Sequence, residues 1–267
     1  MVNCRKMTGE DSFMNTAIIT GASSGMGREF VKMAAARGDL DEIWVIARRE
    51  DKLKELQKEV NVPLHILPLD LLKAESYERF QAELDSRKPN VTFLVNASGF
   101  GRFARYDQIP LQDDLDMIDL NCKAMVNITK RTLPFMSKGA HIIQVDSLSA
   151  FQPVPYIGMY GATKAFVLSY ARSLNVELKD RDIKVMAFCP GWVKTDFFDG
   201  AWAYSKDAVT YYNKLFTAEE VVRVAMKDSA KGKDVCVPGF SVKMQVLACK
   251  LLPHSLIMKI WMKQQKH

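Results

Sequence analysis

The sequence predicts a doubly wound α/β fold, a parallel β-sheet with helices on both faces. Short β-branched apolar runs alternate with longer stretches of helical period, the runs are apolar throughout, and a glycine-rich turn follows the first of them. A strand apolar along its whole length is covered on both sides, as happens when right-handed crossover helices pack on the two faces of a parallel sheet. With 267 residues, 48% hydrophobic and 25% charged, the chain is long enough to bury such a sheet in a single domain, 1–267. No internal repeat, low-complexity tract or long Pro/Gly/Ser linker divides it.

Taken in order, the first strand is centred on Ala17-Ile18-Ile19 and runs into Thr20-Gly21-Ala22-Ser23-Ser24-Gly25-Met26-Gly27. That turn opens a helix through Phe30, Val31, Met33 and Ala34. Glycines there permit positive φ and close backbone approach, and the helix N-terminus offers free N–H groups to an anion, so the turn reads as a phosphate cradle. The next strand, Ile43 to Ile46, ends in Ala47-Arg48-Arg49, where a dinucleotide fold that binds NAD usually places an acid for the ribose 2′-hydroxyl. Two guanidiniums suit a 2′-phosphate instead, which points to NADP(H). Further strands are expected at Val91–Val95, Ile142–Val145, Val185–Phe188 and Val235–Val237, with long helices over about 111–133 and 159–180.

Two irregular stretches interrupt the alternation, at about 147–158 and 190–216. Both follow strands, and loops beyond the carboxyl ends of parallel strands wall the ligand site of an open α/β sheet. The second holds Trp192, Phe197, Phe198, Trp202, Tyr204, Tyr211 and Tyr212, read either as the lining of an apolar substrate site or as packing between elements.

Composition excludes other classes. Met1–Met14 lacks the apolar core of a secretory signal, and no apolar stretch reaches the roughly 20 residues of a spanning helix, so a soluble chain is expected. Five widely spaced cysteines without a CxxC, and four histidines without HExxH spacing, indicate reduced cytoplasmic thiols and no metal site. The net charge of +6 is local: residues 240–267 carry five lysines and no acid, leaving +1 (6 minus 5) for the rest. Basic residues confined to one tail do not suggest nucleic-acid binding.

With these motifs in place the chain resembles the short-chain dehydrogenase/reductase family, in its single-domain branch. The resemblance rests on the TGxxxGxG spacing of residues 20–27, Asp70 after the third strand, Asn96-Ala97-Ser98-Gly99, Asn121, Ser147, Tyr160-Gly161-Ala162-Thr163-Lys164 and Pro190-Gly191 in the family's order. It implies a Rossmann fold, an NADP(H)-dependent exchange of alcohol and ketone, and a homodimer or homotetramer contacting through the two long helices. Tyr160 is then the acid and base; Lys164, one helical turn away, favours its phenolate and touches the nicotinamide ribose. Ser147 holds the substrate oxygen, with Ser149 as a nearby competitor. The resemblance further assigns Asn121 to a water linking the lysine to solvent. It places Asp70 and Asn96 beside the adenine and its ribose, and Pro190, Gly191, Val193 and Thr195 beside the nicotinamide. Asp146 departs from the pattern, standing where many relatives carry a small hydroxyl residue.

The aromatic loop points to a bulky apolar alcohol or ketone such as a hydroxysteroid, bile acid or related lipid. The alternatives are a 3-oxoacyl reductase acting on a carrier-bound chain and a non-catalytic NADP-sensing scaffold. The tail, 240–267, is divided by Pro253 into two candidate helices. In the second, Lys259, Lys263 and Lys266 share one face with Ile257, Ile260 and Trp261 largely opposite. Such a helix closes over the substrate, packs on a neighbouring subunit or makes peripheral contact with an anionic membrane, the first being the leading expectation.

Overall fold

The computed structural model describes residues 14–212 and 214–265. Most of the segment read against an export signal, including Cys4, lies outside the described residues, as does Lys266. Among those described, nine strands follow one another: β1 (Asn15–Thr20), β2 (Glu42–Ala47), β3 (Leu64–Pro68), β4 (Asn90–Asn96), β5 (Met136–Val145), β6 (Lys184–Phe188), β7 (Trp192–Lys194), β8 (Leu215–Thr217) and β9 (Val235–Cys236). Seven form an all-parallel sheet in the order β3-β2-β1-β4-β5-β6-β9. The helices are α1 (Gly25–Ala35), α2 (Glu50–Gln57), α3 (Ala74–Arg87), α4 (Leu111–Ile118), α5 (Met125–Thr132), α6 (Gly158–Glu177), α7 (Phe197–Ala201), α8 (Ala218–Ala230), α9 (Phe240–Leu251) and α10 (His254–Gln264).

The continuous apolar runs are explained by alternation between two cores. Ile19, Val45, Val95 and Ile143 face one layer, where they meet Phe30 and Val31 of α1, Leu53 of α2 and Val221 of α8. Their neighbours Ile18, Trp44, Leu94 and Ile142 face the other, against Phe80 of α3, Ile128 of α5 and Leu174 of α6. Each such side chain contributes about 1.5–3 kcal/mol when fully buried. In α1 the buried Gly27, Phe30, Val31 and Ala34 recur at helical spacing, the pattern expected of a crossover helix.

Strand order reverses between β1 and β4, which lie side by side although the chain travels out through β2 and β3 between them. The turns after these two strands therefore part at their carboxyl ends and open a crevice. Two expectations need correction. The stretch 190–216 is not irregular throughout: β7 and β8 pair in parallel, Trp192 with Leu215 to Lys194 with Thr217, and α7 lies between them. The helix expected over 111–133 is present but not uniformly α-helical: a π-helical turn, Asp119–Ala124, joins α4 to α5 without a break. The tail forms α9 and α10, with Pro253 at the N-cap of the second. No helix among the described residues is long and apolar enough to cross a membrane.

Candidate active site

The crevice is a groove of about 550 Å³ bordered by the turn after β1, the end of β2 and the turn after β4. Two glycines make its floor possible. A Cβ on Gly27 would lie 2.2 Å from the Gly21 carbonyl oxygen, and one on Gly21 2.7 Å from the Ala97 backbone, so the turn closes only without side chains there. Thr20 Oγ1 accepts from the Ala97 and Ser98 amides at 3.0 and 3.1 Å and ties the two turns together. At the start of α1, Ser24 makes no side-chain cap and the first turn has no acid, which leaves the positive end of the helix to an anion.

Gly21, Ser23, Ser24, Gly25, Met26 and Gly27 line this groove together with Arg48, Arg49 and Asp70. Arg49 donates to Ser23 Oγ at 3.2 Å, which brings a guanidinium over the glycine turn. Asp70 accepts from the Leu72 amide at 3.2 Å, a local turn that fixes its carboxylate at the rim. An uncapped helix start, a side-chain-free turn and two arginines fit a dinucleotide carrying a phosphate on its ribose. Asn96 is different. Its amide donates to Thr129 Oγ1 and Gln144 Oε1, both at 3.0 Å, inside the buried layer, and its side chain does not line the groove.

At Met26, Thr195 and Phe197 the groove meets a second cavity of about 110 Å³. Ser147, Tyr160, Pro190, Gly191 and Val193 line it, with Phe103, Trp192, Phe198 and Trp261 as its aromatic walls. These aromatics also form a third core cluster with Val154, Ile157 and Val209, so they both line a site and pack the elements around it. Tyr160 stands in the first turn of α6, whose buried Gly161, Lys164, Val167, Ala171 and Leu174 hold that helix against the sheet. Ser147 and Tyr160 line the cavity together, and the Ser147 hydroxyl accepts from the Ser149 amide at 3.1 Å. Geometry thus puts Ser147 beside the tyrosine, with Ser149 orienting it through the backbone.

Lys164 lies beneath Tyr160, its ammonium donating to the Val145 carbonyl at 2.8 Å and 5.6 Å from the phenol ring centre. Burial pulls the lysine's pKa down, opposed by the Asp146 carboxylate. Burial likewise pushes the Tyr160 pKa up, with the Asp146 carboxyl adding to the rise and the neighbouring Ser147 side chain working against it.

Asn121 sits in the π-helical turn, and its amide is fully occupied. It donates to the Phe100 carbonyl at 2.9 Å and to Thr163 Oγ1 at 3.0 Å, and accepts from the Phe100 amide at 3.0 Å. Its side chain braces the turn after β4 against α6. Three wall residues escaped the sequence reading. Phe103 packs edge-on against Tyr160 and Trp192, at ring separations of 6.4 and 6.0 Å. Arg102 pairs with Asp113 of α4 and donates to the Gly200 carbonyl at 2.8 Å, pinning α7 beside the groove. Gln152 accepts from the Cys249 thiol of α9. None sits in a local motif; each acts through a contact between segments far apart in the chain.

A dinucleotide groove that opens onto a hydroxyl and a phenol, with a buried lysine one helical turn from the phenol, defines a dehydrogenase of the doubly wound class. The family model for the short chain dehydrogenase matches residues 15–204, and the chain belongs to the short-chain dehydrogenase/reductase family. It is 34% identical over 189 residues to sulfoacetaldehyde reductase 2 of Chromohalobacter salexigens, across 67% of this chain and 73% of that protein. With the NADP-dependent 3-hydroxy acid dehydrogenase of Escherichia coli it shares 29% identity over 215 residues, 78% of this chain and 86% of the other. A short-chain dehydrogenase from Sphingobium yanoikuyae in complex with NADPH superposes with a TM-score of 0.76 at 25% identity, over 91% of this chain and 95% of that one. The chain is thus a short-chain oxidoreductase, and two of these similar proteins are described with NADP or NADPH.

Proposed function

We propose that this enzyme interconverts a ketone and a secondary alcohol on an apolar substrate, with Tyr160 as acid and base and Ser147 and Lys164 as its helpers. The observation that carries this reading is the aromatic cavity lying directly over Tyr160 and Ser147. When bound, the cofactor supplies or accepts the hydride. Ser147 donates to the substrate oxygen as negative charge develops there, and Tyr160 delivers its proton to that oxygen. Lys164 holds the base of the site through Val145 and offsets the charge left on the phenol. Asn121 positions α6 and the turn after β4 around them.

Size refines the substrate class. A dry cavity of about 150 Å³ takes a benzene, so the 110 Å³ here admits a reacting end of about one ring or less. A larger apolar body, such as a steroid, enters only when α10 yields. That helix closes the cavity with Trp261, whose indole donates to the Pro155 carbonyl at 3.1 Å, and Gln265 anchors its end by accepting from the Thr210 and Tyr211 amides. The exposed Leu111, Leu115 and Ile118 of α4 and Phe166 of α6 support a homodimer or homotetramer formed through these helices.

The test is NADPH oxidation against a panel of ketones, from small aliphatic and monocyclic to steroidal, together with Tyr160→Phe. We expect turnover with monocyclic apolar ketones, lost by about a hundredfold to ten-thousandfold in the variant with NADPH affinity kept. Absence of turnover with every ketone, or a Tyr160→Phe enzyme that retains it, refutes the proposal.

A further inference from the structure

The two tail helices have one face on the protein and one that no described residue covers. In α9, Val242, Val246 and Cys249 turn inward, while Phe240, Met244, Leu247 and Leu251 face solvent, Phe240 at 79% and Leu251 at 74% exposure. Steps of four, three and four residues place these four on a single stripe. Leu252, Leu256 and Ile260 extend the exposed apolar surface into α10. Ile260 is thus on the outer face, not with Ile257 and Trp261 as its sequence position suggested; only the latter two are buried. Lys243, Lys250, Lys259 and Lys263 are exposed among these residues, and no acid occurs from 240 to 265. Elsewhere on the described surface large apolar side chains are exposed in twos and threes; here seven follow within one segment.

We propose that this face of α9 and α10 docks on an anionic lipid surface, the apolar stripe entering the headgroup boundary and the four lysines pairing with acidic headgroups. Charge selects this occupant. A second copy meeting the same face would set lysines against lysines with no carboxylate to pair them. An acidic protein would satisfy the lysines but leave the leucines and Phe240 to be matched separately, whereas a bilayer edge offers anions and hydrocarbon at adjacent depths. Neither helix, at 12 and 11 residues, is long enough to span, so both lie in the plane of the surface.

The inner faces of the same helices wall the cavity, through Gln245 of α9 and Trp261 of α10. A lipid surface would then supply an apolar substrate beside the element that must move to admit it. This consequence rests on the proposed apolar substrate; the docking itself does not.

The experiment is co-sedimentation of the full-length enzyme with vesicles of phosphatidylcholine alone and of phosphatidylcholine with one third phosphatidylglycerol, without substrate. We expect binding to the anionic vesicles only, weakened by salt. Each lysine near such a surface is worth about a fivefold change in affinity, so the pair Lys243→Glu and Lys250→Glu lowers binding by at least about tenfold. The pair Phe240→Ser and Leu251→Ser does likewise, with NADPH affinity and Tm unchanged in both. Equal binding to the two vesicle types, lysine reversals without effect, or a dimer in sedimentation velocity that Phe240→Ser and Leu251→Ser dissociates overturns the proposal. Failure of ketone turnover with anionic binding intact refutes the substrate reading alone.

Discussion

Replacing Asp146 by asparagine tests the electrostatics of the site in a quantity unrelated to turnover. This carboxyl is 2% exposed, next to Ser147; among the described residues Oδ1 has no hydrogen-bond partner and Oδ2 accepts from the Cys189 thiol at 3.5 Å. Burial pushes its pKa from the ordinary 3.8 to about 7, against the opposing pull of Lys164, the Ser147 amide and Cys189. Because the folded-state value is the raised one, between these two values the native chain holds a proton that the unfolded chain has released. Stability therefore falls as pH rises from about 4 to about 7 and is level above that. At about 1.36 kcal/mol per pH unit the full penalty is about 4 kcal/mol, a ceiling, since Asp146→Asn also removes the attraction that helps keep Lys164 charged. We expect the variant to melt several degrees above the parent at about pH 8, at about 2 to 4 °C per kcal/mol, and to show less than half that gain at about pH 5. Thermal unfolding followed by circular dichroism at the two pH values measures this. A gain independent of pH, or a variant less stable than the parent at the higher pH, would refute the reasoning.

Neutralising Arg48 and Arg49 together, by Ala, should weaken NADPH by about 10- to 100-fold while leaving NADH affinity within a few-fold, measured by quenching of protein fluorescence. Similar losses for both cofactors would remove the two guanidiniums from 2′-phosphate recognition. Trp261→Ala should raise KM for an apolar ketone and keep NADPH affinity, because it opens the cover of the substrate cavity and deletes the bond to Pro155 without touching the groove. An unchanged KM with loss of cofactor binding would show that α10 serves the fold rather than the substrate.

Part of this was legible before any coordinates. The glycine turn, the arginines after β2 and the Tyr160–Lys164 pair each depend on residues within one turn or one strand end, where local spacing and local geometry are the same thing. The π-helical turn at Asp119–Ala124 carries no comparable signal, because its apolar residues keep a nearly helical period on both sides. Asn96 also misled: its place after β4 suggested the groove, yet strand alternation turns its side chain to Thr129 and Gln144 in the opposite layer.

The sequence by itself determined the class of fold, because strands apolar on both faces and crossover helices with one buried stripe admit few other arrangements. It also located the groups proposed here to react. Only the tertiary structure decided what surrounds them. β7 pairs with β8 across some 20 residues, Arg102 reaches Gly200, and Trp261 reaches Pro155 from a different part of the chain. Such contacts set the size of the cavity, the burial of Asp146 and the outward face of α9 and α10. They depend on distances between segments rather than on period within one, and a linear pattern encodes the second but not the first.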